Sequence, residues 1–314
     1  MAFFRAWVFS LLAAVALLLL LAAPLARVAR AQDDPSGEWS VTFFEDQPDR
    51  LAGAEMGDYL GMPINPNALQ RAQSWSAALV ETPEDQCREH GSDYGWRGPS
   101  NLSIWKDVDR DTQDVIAYHT HLSAYEAEQT IWMDGKHREP PPWAPHTWQG
   151  FSVGHWEGDT LVVYTTHLKE NWLGLNGLPR SDQAVATTHI MRHGNVLTVA
   201  AITYDPVYME QPLIRTADFT YAPQQSMATW PCEPVDEVDR PESKVPSYMP
   251  GKNPFISEFA ARYGVPYEAT KGGAETMYPE YMTKVKKMPL LPRIPKNAPQ
   301  ATSGVTSGSD NKSQ

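Results

Sequence analysis

The chain has 314 residues, 26 Lys and Arg against 38 Asp and Glu, and a formal net charge of -12. An acidic chain without a basic patch argues against nucleic acid and anionic membrane surfaces as partners. Its length suits one large β domain or two smaller domains.

Residues 1–31 read as an export signal. Arg5 supplies a positive start, residues 6–26 carry no charge, and Ala29-Arg30-Ala31 offers the small-x-small pattern of a cleavage site. The apolar run approaches the ~20 residues that span a bilayer, so an N-terminal membrane anchor is the alternative. Removing the three Arg of this segment takes the net charge from -12 to -15. The chain would then be periplasmic or secreted. Its two cysteines, Cys87 and Cys232, would meet an oxidising compartment, where an even pair is expected to form a disulfide. That link closes more than a hundred residues, a stabilisation of roughly 4–5 kcal/mol in the loop-entropy view.

After the signal, residues 36–44 (SGEWSVTFF) read as a first strand. Residues 45–99 form an irregular insertion, with helical character from Asn65 to Val80 and Pro66 placed for the first helical position. Strands follow near residues 101–107, 113–121, 128–133, 150–156, 160–168, 184–192, 195–203 and 213–221. Three connections carry tight-hairpin chemistry: residues 133–136 at Asp134-Gly135, 156–160 at Gly158, and 192–196 at Gly194. Beyond Cys232 a Pro- and Glu-rich arm leads into a helix after Asn253-Pro254, with Gly264 at its end, and a second short helix over 272–287. Residues 296–314 have almost no apolar content and are expected to be disordered.

Three segments carry a resemblance: residues 130–182, which hold DGKHREP and GHWEGDTLVV, residues 192–219, and residues 263–281. They resemble a large family of exported bacterial proteins of unknown function, with DGR-H-P, G-S-G-x-WEGDTLVV and DDPxxYxxP signatures. The family's opening SG-x-W matches Ser36-Gly37-Glu38-Trp39, and its flanking cysteines match Cys87 and Cys232. Thr188 stands where relatives often have Glu, and Tyr164 where many have Asp. The family brings no established catalytic residues. Gly37-Glu38-Trp39 also resembles, more weakly, the Gly-x-Trp that plugs one end of calycin barrels.

The block from Ile131 to Trp172 is the richest in chemistry, with five Trp and four His. Trp132, Trp143, Trp148, Trp156 and Trp172 either line a ligand cavity or pack a core. His146, held in a proline-stiffened loop between Trp143 and Trp148, is the leading acid–base candidate, with His167 beside it. Equally, His146 could simply anchor that loop. His119 and His121 share one face of a strand, and with His167 they make a candidate zinc or copper set. Glu157 and Asp159 read as turn residues. No GxSxG elbow surrounds Ser181, which removes a Ser–His–Asp reading.

These features predict a mainly β protein. An antiparallel meander over 32–232 forms a lipocalin-like barrel, or a sandwich, and a Pro-rich arm with short helices over 233–295 packs on it. The expected function is cofactor-free binding of a small apolar or aromatic ligand in an aromatic-lined cavity. The alternative is an enzyme, a hydrolase or lyase, that uses a histidine cluster in the same cavity with or without Zn or Cu. An envelope interaction module, marked by a broad exposed apolar patch, is a third class. No lasting membrane insertion is expected once the signal is gone. Intact-mass analysis of unreduced protein from the periplasm should show a chain starting at Gln32 with Cys87 and Cys232 joined. Retention of Met1–Ala31, or two free thiols, would overturn the corresponding expectation.

Overall fold

The computed structural model describes residues 34–42, 55–98, 100–123, 127–137, 139–174, 176–225, 227 and 247–295. The signal segment, residues 43–54, Cys232 with its proposed disulfide, arm residues 233–246 and the tail from 296 onward lie outside the described residues. No helix among the described residues is long and apolar enough to cross a membrane.

Nine strands close into a barrel. They are β1 (Gly37–Val41), β2 (Leu102–Val108), β3 (Val115–Leu122), β4 (Ala127–Trp132), β5 (Phe151–Glu157), β6 (Thr160–Thr166), β9 (Val185–His193), β10 (Val196–Tyr204) and β11 (Leu213–Tyr221). Around the barrel the order is β1-β11-β10-β9-β6-β5-β4-β3-β2, and β1 pairs β2 to shut the ring. A separate ribbon joins β7 (Asn171–Trp172) to β8 (Pro179–Arg180). Inward and outward residues alternate as the pleat requires. On β10, Leu197, Val199, Ala201 and Thr203 are buried while their neighbours are more exposed. Closure gives each of the nine described strands a partner on both sides, which limits exposed edges, although β4 and β5 join over only two residue pairs.

Two of the three predicted hairpins form. Gly158 and Gly194 adopt positive φ at the tips, where Glu157 pairs Thr160 and His193 pairs Val196. The third does not. After Asp134-Gly135 the chain leaves the sheet, and β5 returns parallel to β4, with Ile131 beside Ser152. The Asp134 carboxylate accepts from the Lys136 and His137 amides, so the turn is real, but it ends a strand. Pro140, Pro141 and Pro142 have no N–H to donate to a ladder, and a parallel return needs a long crossover.

The lumen is packed with side chains. Trp39, Leu102, Ile104, Tyr118, Ile131, Leu161, Ile190, Leu197 and Phe219 form one buried cluster. The expected place of a ligand, the lumen, is occupied by this apolar cluster, and the clefts described below lie at the barrel rim. At one end Trp39 is fully buried, its indole N–H donates to the Pro35 carbonyl (2.8 Å), and the Arg192 guanidinium lies 5.2 Å over its ring. At the other end Trp96 packs edge-on against Phe219 (6.5 Å), and its N–H donates to the Ser92 carbonyl (2.7 Å).

Helix α1 (Pro66–Gln73) starts as its sequence predicts: the Asn65 side chain accepts from the Asn67 and Ala68 amides, and Pro66 opens the helix. A short α2 (Pro83–Gln86) leads to Cys87. Helix α3 (Glu258–Tyr263) ends at a left-handed Gly264. The predicted 272–287 helix is two pieces, a tight turn Ala274–Met277 and α4 (Tyr281–Val285), with Pro279 between them. The C-terminal arm packs on the 55–79 insertion. The Asn253 amide donates to the carbonyls of Gln73 (3.0 Å) and Trp75 (3.3 Å), and Phe255 packs on Met56 and Trp75.

Trp39→Ala removes the plug of one barrel end. It should cost about 3–5 kcal/mol of stability, read from urea unfolding. A loss below about 1 kcal/mol would show that the plug is dispensable.

Candidate functional site

The strand histidines point away from the barrel interior. His119 Nε2 lies 2.9 Å from Asp107, its Nδ1 accepts from the Thr130 hydroxyl, and its ring stacks on the exposed Trp105. His121 Nδ1 lies 3.2 Å from Glu128. Period-two alternation does put both on one face, as expected, but that face is the outer one. Among the described residues, no group of three His, Cys, Asp or Glu could hold a metal ion. The His119–His121–His167 set is therefore not assembled: the first two each face their own carboxylate, and His167 is tied up elsewhere.

His146 and His167 meet ring against ring, with centroids 5.2 Å apart. The His146 Nδ1–H donates to the Leu168 carbonyl (3.0 Å). His167 donates through Nε2 to the Pro141 carbonyl (3.1 Å) and accepts at Nδ1 from the Thr166 hydroxyl (2.9 Å). Backbone bonds between Thr147 and residues 167 and 169 complete the clasp. His167 sits at φ 56, which is why β6 stops at Thr166. Gly150 allows the close approach, since a Cβ there would lie 2.4 Å from the Thr166 carbonyl oxygen. These contacts make the pair loop anchors. Among the described residues neither ring meets an acid, and neither lines either rim cleft, so the acid–base reading gains no geometric support at these two residues.

A cleft of about 580 Å³ opens beside the clasp. Trp75, Trp148 and Trp172 form its aromatic walls, and Arg71, Arg88, Lys169, Asp85 and Glu170 reach it. The Arg88 guanidinium lies 4.1 Å over the Trp172 ring and 5.0 Å from that of Trp148, and it pairs with Asp85. Burial lowers the Arg88 pKa, and the nearby Asp85 and Glu170 charges oppose that shift. Lys169 lies 4.6 Å over Trp148, and Arg71 pairs with Glu170 at 2.6 Å. Trp75 packs edge-on to Trp172 (6.3 Å). Gly177, at φ 79, makes room for it, because a Cβ there would strike Trp75 at 2.3 Å.

A second cleft of about 330 Å³ lies on the far side of Trp148, between Trp132, Glu89, Glu128, Thr130 and Gln149. Burial raises the Glu89 pKa and the Glu128 charge adds to it, against a hydrogen bond from Gln149 (2.9 Å). Trp132 is stacked on His137 at 3.5 Å. The other predicted tryptophans go elsewhere: Trp156 packs edge-on against Tyr118 (6.4 Å), and Trp143 is 84% exposed at the tip of the proline loop. Three of the five thus reach the rim clefts. Sequence reasoning missed Trp75, Arg88, Glu89 and Lys169. Of these, only Trp75 stood in a segment with a helical pattern, and Arg88 was marked only by its neighbour Cys87.

A scan of protein-family models, a search of curated proteins and a search of solved structures each returned no match.

His90 gives this region a pH dependence. Burial lowers its pKa to about 4, against the pull of Asp93, and its ring lies 4.9 Å from that of Tyr94. The unfolded chain, with a histidine pKa near 6.5, binds the proton more readily than the folded one. Stability is therefore unaffected above about pH 6.5 and falls as the pH drops from there toward about 4, by roughly 3 kcal/mol at most. His90→Gln should flatten urea-unfolding free energies across that window. An unchanged slope would reject the assignment.

Proposed function

We propose that the protein is exported and binds a small planar molecule in the rim cleft between Trp75, Trp148 and Trp172. One observation carries this reading: three indoles and a stacked guanidinium line a concavity whose volume falls in the range of ligand sites, roughly 300–1,000 Å³. Trp148 and Trp172, both half-buried, otherwise expose apolar area without return. Burial accounts for Trp39, Trp96 and Trp75, which backs the cleft from the 55–79 segment, and does not account for Trp148 and Trp172. The barrel is the rigid support, and the site sits on its loops, as binding sites often do. The signature segments at 130–182 and 192–219 support membership of the exported bacterial family they resemble, and residues 1–31 support export.

A second reading has one observation in its favour. Glu89, with its raised pKa, shares the smaller cleft with Glu128 and two indoles. A carboxyl whose pKa burial raises, set close to a second carboxyl, is an arrangement that general acid catalysis uses, which would make the protein a hydrolase or lyase.

Native mass spectrometry of protein from its own periplasm is the test. The wild type should carry a bound small molecule, and Trp148→Ala and Trp172→Ala should each weaken binding roughly tenfold or more with the far-ultraviolet circular dichroism unchanged. Recovery of the ligand in chemically altered form after incubation would favour the enzyme. Undiminished binding by both variants would remove the cleft from consideration.

A further inference from the structure

We infer that the molecule held in the Trp75–Trp148–Trp172 cleft is an anion: a planar aromatic carboxylate whose charged group meets Lys169. The inference deepens the binding reading above and rests on it. The cleft draws three cations and two carboxylates from the chain. Arg71 is engaged by Glu170 and Arg88 by Asp85. Lys169 is left over. Among the described residues no carboxylate lies within ion-pair distance of it, and its ammonium sits over the Trp148 face at 4.6 Å. A cation–π contact holds the charge against the wall but does not satisfy three ammonium N–H groups.

This local excess of positive charge runs against a chain whose net charge is -12. Counter-charges are abundant in such a sequence, so a cation left unpaired in a concavity stands out. A single surplus charge matches a singly charged carboxylate better than a doubly charged phosphate. Arg88 strengthens the site from behind. Two indoles hold its planar guanidinium, and its Nε is buried with no hydrogen-bond partner. The group is already ordered, so it presents a flat face to the cleft at low cost in side-chain entropy while Asp85 offsets its charge. The indole walls then select a flat, apolar body for the ligand.

The test compares 2-naphthoate with its neutral amide by calorimetry on the full mature chain. The acid should bind roughly tenfold tighter at low salt, and the gap should narrow as salt screens the charge. Lys169→Gln should abolish the gap by weakening the acid more than the amide, and Lys169→Arg should retain it. Equal affinities, tighter binding of the amide, or a preference that survives Lys169→Gln would overturn the assignment. Amide binding without acid binding would leave the cleft reading standing and remove the anion. Failure of both compounds to bind would count against the cleft itself, and the proposal would fall with it.

Discussion

The buried ion pair between Arg180 and Asp93 ties the cap of the barrel to its wall. Both side chains are 0% exposed, with Arg180 Nε 3.1 Å from Asp93 Oδ2. The guanidinium also donates through Nη1 to the carbonyls of Lys169 (2.9 Å) and Ser181 (3.2 Å), and the Thr203 hydroxyl donates to Asp93 (3.4 Å). Four segments therefore meet at one pair of charges. Removing either charge alone strands the other in a dry interior, a loss of about 3–5 kcal/mol. Next to it, Asp205 accepts from the Ser181 amide and hydroxyl and from the Val207 and Tyr208 amides. The ribbon that carries Trp172 is thus pinned from two sides.

Residues 88–96 show what that pin holds in place. Arg88 faces the larger cleft, Glu89 the smaller, Asp93 the ion pair, and Trp96 the lumen. A stretch with so little regular structure must satisfy its backbone by other means. Asn171 donates to the Glu89 carbonyl (3.0 Å), Gln149 to the His90 carbonyl (2.8 Å), and the Ser92 hydroxyl to the Gln149 carbonyl (2.9 Å). These bonds come from the same two loops that bring Trp148 and Trp172. Cap, clasp and cleft form one polar network, and the site's geometry follows from barrel closure rather than from any one loop.

The strands were legible because their pattern is local. Alternating Val, Ile and Thr between glycine turns locates β9, β10 and β11 to within a residue or two. Asn65-Pro66 marks its helix for the same reason. Asp134-Gly135 misled because a turn dipeptide specifies a reversal of direction, and only the residues beyond it decide whether a partner strand follows. His119 and His121 were correctly paired on one face, but period two cannot say which face is inside. Arg88, Glu89 and Arg180 were illegible in physical terms. Each owes its role to partners 60 or more residues away or to a stacking geometry between loops, and neither leaves a period in the sequence.

The tryptophans show how position decides the use of a side chain. Trp39 lies on a ladder, where alternation turns it inward and its single N–H finds a backbone carbonyl, so it becomes core. Trp148 and Trp75 lie on irregular chain outside the barrel strands, with no neighbouring strand to cover them. Trp148 is covered by charged side chains, and Trp75 by Met56, Phe255 and the edge of Trp172. A guanidinium or ammonium over an indole is a reversible cover, since water or a ligand can replace it at modest cost. A filled lumen and an exchangeable rim are complementary. The packed interior supplies the stability that a hollow barrel would lose, and the rim keeps its apolar surface available. For this chain the proposed ligand site falls where the strands end and the cations begin.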